Sequence, residues 1–238
     1  MPNWITVPDM SQSLKLISSM ATRELLAEMV SLYERESGQS IVSEAAGGVD
    51  VAKRVQAGES VDVVVLAGNA IDKLIADNKV LAGSRVDLVK SGIAVAIKQG
   101  SEAPGIQSED AVKNAVKLAR TLSYSTGPSG VYLEKMFERW GILEAIRPRI
   151  VVPPPGVPVA SLVASGAVEL GFQQLSELMN VPGVRVVGPL PPAIQSMTIF
   201  SGGIAAACGN PVAARALLDF MASAALSELK QRQGMEAV

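Results

Sequence analysis

The chain reads as an α/β protein of two Rossmann-like lobes joined by crossing strands. Three observations carry that expectation. Short apolar runs alternate with amphipathic stretches from about Leu14 to the end, the order expected of α/β layers built on parallel sheets. The run Val61 to Leu66, VDVVVL, is almost uninterrupted in β-branched residues, as in a strand buried on both faces. Two strand-like runs, Leu88 to Lys98 and Ser196 to Cys208, are long enough to pass from one lobe to another. They set the expected boundaries: residues 14–90 with 195–238 as lobe I, 91–194 as lobe II, and 1–13 as an extension or lead-in to the first strand.

In order, the first strand is expected at Leu14 to Ile17, followed by Ser18-Ser19 and a helix from about Met20 to Glu36. Its apolar positions Leu25, Leu26, Met29, Val30 and Tyr33 share one face. A strand at Ile41 to Ser43 precedes Gly47-Gly48 and a helix through Val51 and Val55. After VDVVVL comes a helix burying Ile71, Leu74 and Ile75. Ser108 caps another, with Glu109 and Asp110 in its favourable first turn.

The stretch Tyr124 to Ile142 organises the second half. Small residues, Ser125, Thr126, Gly127, Ser129 and Gly130, open a helix carrying Leu133, Met136, Phe137 and Trp140 at i, i+3, i+4 and i+7. Gly141 stands at its stop. Ser129 alone would pass for a helix cap. Arg149 to Val152 is expected as a strand, and Pro158 opens a helix that Gly166 ends. Val168 to Phe172 is a short strand, with Gln173, Gln174 and Ser176 beginning a helix. Val184 to Val187 is another strand. Asn210-Pro211 opens a helix, and a last one ends at Gly234.

Composition narrows the chemistry. The 238 residues are 48% hydrophobic but only 4% aromatic, so the core is aliphatic. A net charge of −2 without a basic block argues against nucleic acid as a partner. There is no histidine, which removes Ser-His-Asp and Cys-His catalysis and every His-ligated metal. Cys208 is the single cysteine and reads as a small buried hydrophobe. No metal and no cofactor are expected. Proton transfer would fall to a carboxylate, a lysine, a tyrosine, water or Cys208. The N-terminal MPNWITVPDMSQSLKL lacks the basic and apolar regions of a signal peptide. The expected location is therefore cytoplasmic as written, or periplasmic if a signal has been removed. No membrane span is expected, because Pro153, Pro154, Pro155 and Pro158 break the one long uncharged stretch.

Four strand-to-helix junctions, at Ser18-Ser19, Gly47-Gly48, Ser125 to Gly130 and Gly156 to Pro158, place small residues at helix N-termini. Backbone N–H groups and helix dipoles aimed at one point attract an anion without any basic side chain. Glu44, Lys53, Arg54, Tyr124, Tyr132 and Gln174 are the chemically able side chains nearby, and the charged and tyrosine residues among them read first as surface charges or packed side chains.

The segments SSMATRELLAEM, AAGGVDVAKRVQAGESVDVVVLAG, SGIAVAIKQG, STGPSGVYLEKMFERWGI and ELGFQQLSEL, in this order and spacing, resemble the molybdate-binding branch of the type 2 periplasmic binding proteins, the bacterial extracellular solute-binding proteins. The resemblance implies a small anion, a di- or tricarboxylate or an oxyanion, held in an interlobe cleft. It implies ligand contacts at Ser18, Ser19 and Met20, at Gly47 and Gly48, at Ser125, Thr126, Ser129 and Gly130, and at Val157 and Gln173. It also implies a transporter partner if the protein is exported. Molybdate binders usually carry a hydroxyl where Gly48 stands, which favours a carboxylate here. A related branch contains isomerases of small unsaturated carboxylates, such as aconitate isomerase, so a cofactor-independent isomerase of a polycarboxylate is the alternative.

Overall fold

A computed structural model describes residues 12–154 and 157–238. The reading of residues 1–13 as an extension falls almost wholly on residues outside that description, as does Gly156 at the fourth junction. The chain divides into two compact units. One takes the chain up to Val89 with Ile199–Lys230 and Ala237–Val238; the other takes Lys90–Thr198 and Gln231–Glu236.

The first unit begins with β1 (Leu14–Ser19), one 3-10 turn, α1 (Arg23–Ser37), β2 (Ile41–Ala46), α2 (Gly48–Gln56), β3 (Val63–Ala67) and α3 (Gly68–Ala76). β1 lies between β2 and β3, parallel to both, with Ser19 opposite Ala46 and Ser18 opposite Val65. All five residues of β3 are buried, as the β-branched run demands of a strand covered on both faces. Ile17, Val64 and Leu66 pack against Val51 and Val55 of α2 and Ile71 and Leu74 of α3.

β4 (Val86–Lys98) carries the chain into the second unit. There follow α4 (Glu109–Leu118), β5 (Leu122–Tyr124), α5 (Pro128–Arg139), α6 (Leu143–Ile146), α7 (Val159–Ser165), β6 (Leu170–Gln174), α8 (Leu175–Leu178) and β7 (Val184–Pro189). β6 and β7 flank β4, both antiparallel to it, and β5 runs parallel to β6. Phe137 and Phe172 meet edge-on at 6.2 Å in a core with Leu122, Leu133 and Met136. A Cβ on Gly171 would lie 2.5 Å from the Val163 side chain, so this glycine lets α7 lie close on β6.

β8 (Met197–Ile204) returns the chain to the first unit and pairs antiparallel with β3, Val65 opposite Gly202. It also neighbours β4, so the strands form one hydrogen-bonded path, β2-β1-β3-β8-β4-β6-β5. α9 (Pro211–Ala222) and α10 (Ser227–Arg232) complete the chain. The expected caps are in place: Ser108 Oγ accepts from Ala111 N at 3.1 Å and Asn210 Oδ1 from Ala213 N at 3.1 Å.

Three expectations are corrected. The sheet is mixed rather than purely parallel, because β8 and β4 run against their neighbours. Arg149 to Val152 is not a strand: a 3-10 turn spans Arg147–Arg149, and only Ile150 bridges, to Leu122. Gln173 and Gln174 end β6 rather than begin a helix. Among the described residues no helix is long and apolar enough to cross a membrane.

Candidate functional site

Each unit carries one corner where strand ends and helix starts put small polar residues together. In the first unit, β1 and β2 end in register, so the turns after Ser19 and Ala46 leave the same sheet edge. Gly47 precedes α2, and the first helical bond is Val51 N to Gly47 O at 2.9 Å. The N–H groups of Gly48, Val49 and Asp50 therefore have no partner within the helix. A Cβ built on Gly48 would lie 3.5 Å from Ser19 Cβ, so the serine side chain stands against the start of the helix. Ser18 and Ser19 are buried, and Met20 is half-buried. The Ser19 hydroxyl is 6% exposed by residue and has no hydrogen-bond partner among the described residues. Leaving such a hydroxyl unpaired costs about 1–3 kcal/mol, which a ligand acceptor would relieve.

In the second unit, Tyr124 of β5 lies opposite Phe172 of β6, so the turns that follow at Ser125 and Gln173 leave one edge. Gly127 precedes α5 and Pro128 occupies its first turn. Ser129 is thus not the cap: it lies inside the first turn, buried, with its Oγ 2.8 Å from Ser125 Oγ. The N–H groups of Ser129 and Gly130 are the free donors at this end. A Cβ on Gly130 would fall 1.6 Å from the Ser125 carbonyl oxygen, so only glycine lets the loop fold back over the helix. Thr126 is exposed at the rim. A cavity of about 320 Å³ opens beside this turn, lined by Tyr124, Ser125, Thr126, Gly130, Glu134 and Arg147 among others.

Gln173 is placed at the same edge but is committed inward. Its Oε1 accepts from Ala160 N at 3.3 Å, and its Nε2 donates to Glu177 Oε1 at 2.8 Å. Burial pushes the Glu177 carboxyl up to about 7, against the lowering effect of the Gln173 bond. Val157 is exposed, just before α7.

The other able residues divide clearly. Arg54 is held by both Glu44 (2.5 and 3.0 Å) and Glu59 (2.6 Å to each oxygen), so its fork is occupied. Those bonds hold both carboxyls below their usual range. Tyr132 donates to Ile194 O at 2.9 Å, as a packed tyrosine would. The Gln174 amide meets Thr198 Oγ1 at 2.8 Å inside the second unit. Lys53 is exposed. Tyr124 donates to Glu134 Oε1 at 3.0 Å, and burial together with that carboxylate raises its phenol above the ordinary value. Among the described residues no three His, Cys, Asp or Glu side chains come together as a metal site.

Sequence reasoning missed Glu134, Arg147 and Glu177. Glu134 follows Gly130 by one helical turn, which was a usable signal. Glu177 is four residues beyond Gln173, but across a strand-to-helix join where that spacing carries no meaning in advance. Arg147 is brought in by the turn after α6, which no local pattern announces.

The profile of the family described as bacterial extracellular solute-binding protein matches residues 14–236. An aconitate isomerase of Pseudomonas sp. is 36% identical over 234 residues, covering 95% of this chain and 88% of that protein. The molybdate-binding protein ModA of Azotobacter vinelandii is 26% identical over 220 residues, covering 88% and 84%. Among solved structures, the periplasmic molybdate-binding protein of Azotobacter vinelandii superposes with a TM-score of 0.78 at 20% identity, covering 94% of this chain and 98% of its own. That likeness establishes the fold.

Proposed function

This chain belongs to the bacterial extracellular solute-binding protein family, and we propose that it binds a small anion carrying two or three carboxylates. The observation that carries the reading is the Ser19 hydroxyl, buried and unpaired against the free N–H groups that start α2. The Ser125–Ser129 pair before the free N–H groups of α5 is its counterpart in the other unit. Each corner offers neutral donors and a helix dipole, which hold an anion without a basic side chain. Ser18, Met20, Gly47, Thr126, Val157 and Gln173 complete the proposed contact set, Gln173 as a support rather than a free donor. A carboxylate is favoured over a compact oxyanion because Gly48 contributes no hydroxyl to a tight ring of donors and only its backbone N–H is available. The relative of higher identity is named for a tricarboxylate, the other for molybdate. We further propose that the protein works in the periplasm and hands its ligand to a transporter; the family's description as extracellular and solute-binding supports this reading.

The second reading is isomerisation of an unsaturated polycarboxylate. It is favoured by the aconitate isomerase relative and by Glu177, a carboxyl near neutrality and able to exchange a proton there. Calorimetric titration with cis- and trans-aconitate, citrate, sulfate and molybdate tests the first reading. The expected result is carboxylate binding that Ser129→Leu abolishes, with the fold retained. Tight molybdate binding with silent carboxylates would overturn it. Incubation with either aconitate in deuterated water tests the second: interconversion with label uptake marks an enzyme, and binding without turnover marks a receptor.

A further inference from the structure

The cavity beside the Ser125–Ser129 turn is larger than one anion needs. Its volume of about 320 Å³ would hold roughly ten waters at their liquid share of ~30 Å³ each. Three of its lining residues, Ser125, Thr126 and Gly130, belong to the turn already proposed to hold an anion. The lining also includes Tyr124, Glu134 and Arg147. Arg147 Nη2 and Nε point to Glu144, at 2.7 and 3.2 Å, and its Nη1 has no hydrogen-bond partner among the described residues. Glu134 is engaged by the Tyr124 O–H. The cavity therefore presents a guanidinium nitrogen with donors to spare, in the same lining as a carboxylate already engaged by a phenol.

We propose that this cavity is the subsite for a second carboxylate of the ligand, and that Arg147 is the residue that selects polycarboxylates over compact oxyanions. The inference rests on the anion-binding reading above and deepens it. One carboxylate meets the Ser129 and Gly130 N–H groups and the serine pair. The ligand backbone then runs through the cavity, and a second carboxylate meets Arg147 Nη1. A guanidinium presents planar, directed donors to a carboxylate, where a lysine offers only a point charge.

The test compares wild type, Arg147→Gln, Arg147→Lys and Ser129→Leu by calorimetric titration with cis-aconitate, trans-aconitate and molybdate. Arg147 is exposed and its pair with Glu144 is a surface one, so the melting temperature of Arg147→Gln stays within a degree or two of wild type. Arg147→Gln is expected to weaken both aconitates by about 10–100-fold, the range for losing one charge-assisted contact, and to leave any molybdate binding unchanged. Arg147→Lys recovers only part of the loss. If Arg147→Gln binds aconitate as wild type does while Ser129→Leu does not, the subsite is refuted and the anion-binding reading stands. If wild type binds neither aconitate, that reading falls and the subsite with it.

Discussion

Glu177 sits beside a residue that family resemblance singled out, yet nothing in its own sequence context marks it. Its carboxyl is raised from the usual 4.5 to about 7 by burial, with the Gln173 amide bond opposing. The sign follows from linkage. The folded state holds this proton in the window between 4.5 and 7, where the unfolded chain releases it. Stability from this group therefore falls as pH rises through that window and stays reduced above it, by up to about 3 kcal/mol. Glu177→Gln keeps an acceptor for Gln173 and removes the titration. Wild type is expected to lose melting temperature between pH 5 and pH 8, and the variant to lose much less. An equal fall in both proteins would assign the pH dependence elsewhere. Arg54 gives the opposite lesson: residue type alone made it a candidate, and only the structure reveals Glu44 and Glu59 filling its donors.

Elements were legible wherever a local rule dominated. The β-branched run became a fully buried strand, Ser108 and Asn210 capped their helices, and Gly141 and Gly166 ended theirs with positive φ. Arg149 to Val152 failed because its apolar character mimics a strand while Pro148 lies in a 3-10 turn and Pro153-Pro154 remove the next donors. Gln173 and Gln174 were misplaced because two amides look like a helix start, whereas buried amides can end a strand if partners wait for them. The β5–α5 corner is where local propensity and packing conflict, and this gives a sharp prediction. Gly to Ala inside a helix ordinarily stabilises by about 0.5–1 kcal/mol. At Gly130 the methyl would overlap the Ser125 carbonyl oxygen, so the sign reverses. Gly130→Ala is expected to cost about 1–3 kcal/mol in urea unfolding, and to erase ligand-induced stabilisation by displacing the turn. A variant more stable than wild type would mean that the loop has an alternative path over α5.

At the scale of the whole molecule, the chain leaves the first unit through β4 and returns through β8, so each corner belongs to a unit with its own core. What local patterns could not supply is the state of the Ser19 hydroxyl, because its burial and its lack of a partner come from the packing of α2 against β1 and not from residues 18–20 themselves. We expect Ser19→Ala to weaken carboxylate binding by about 10-fold or more, one charged hydrogen bond, in calorimetric titration. The same variant has a second signature: removing a buried, unpaired hydroxyl should leave the ligand-free protein at least as stable as wild type. An unchanged affinity in Ser19→Ala, or a clear loss of stability without ligand, would make this hydroxyl a packing group and take it out of the site.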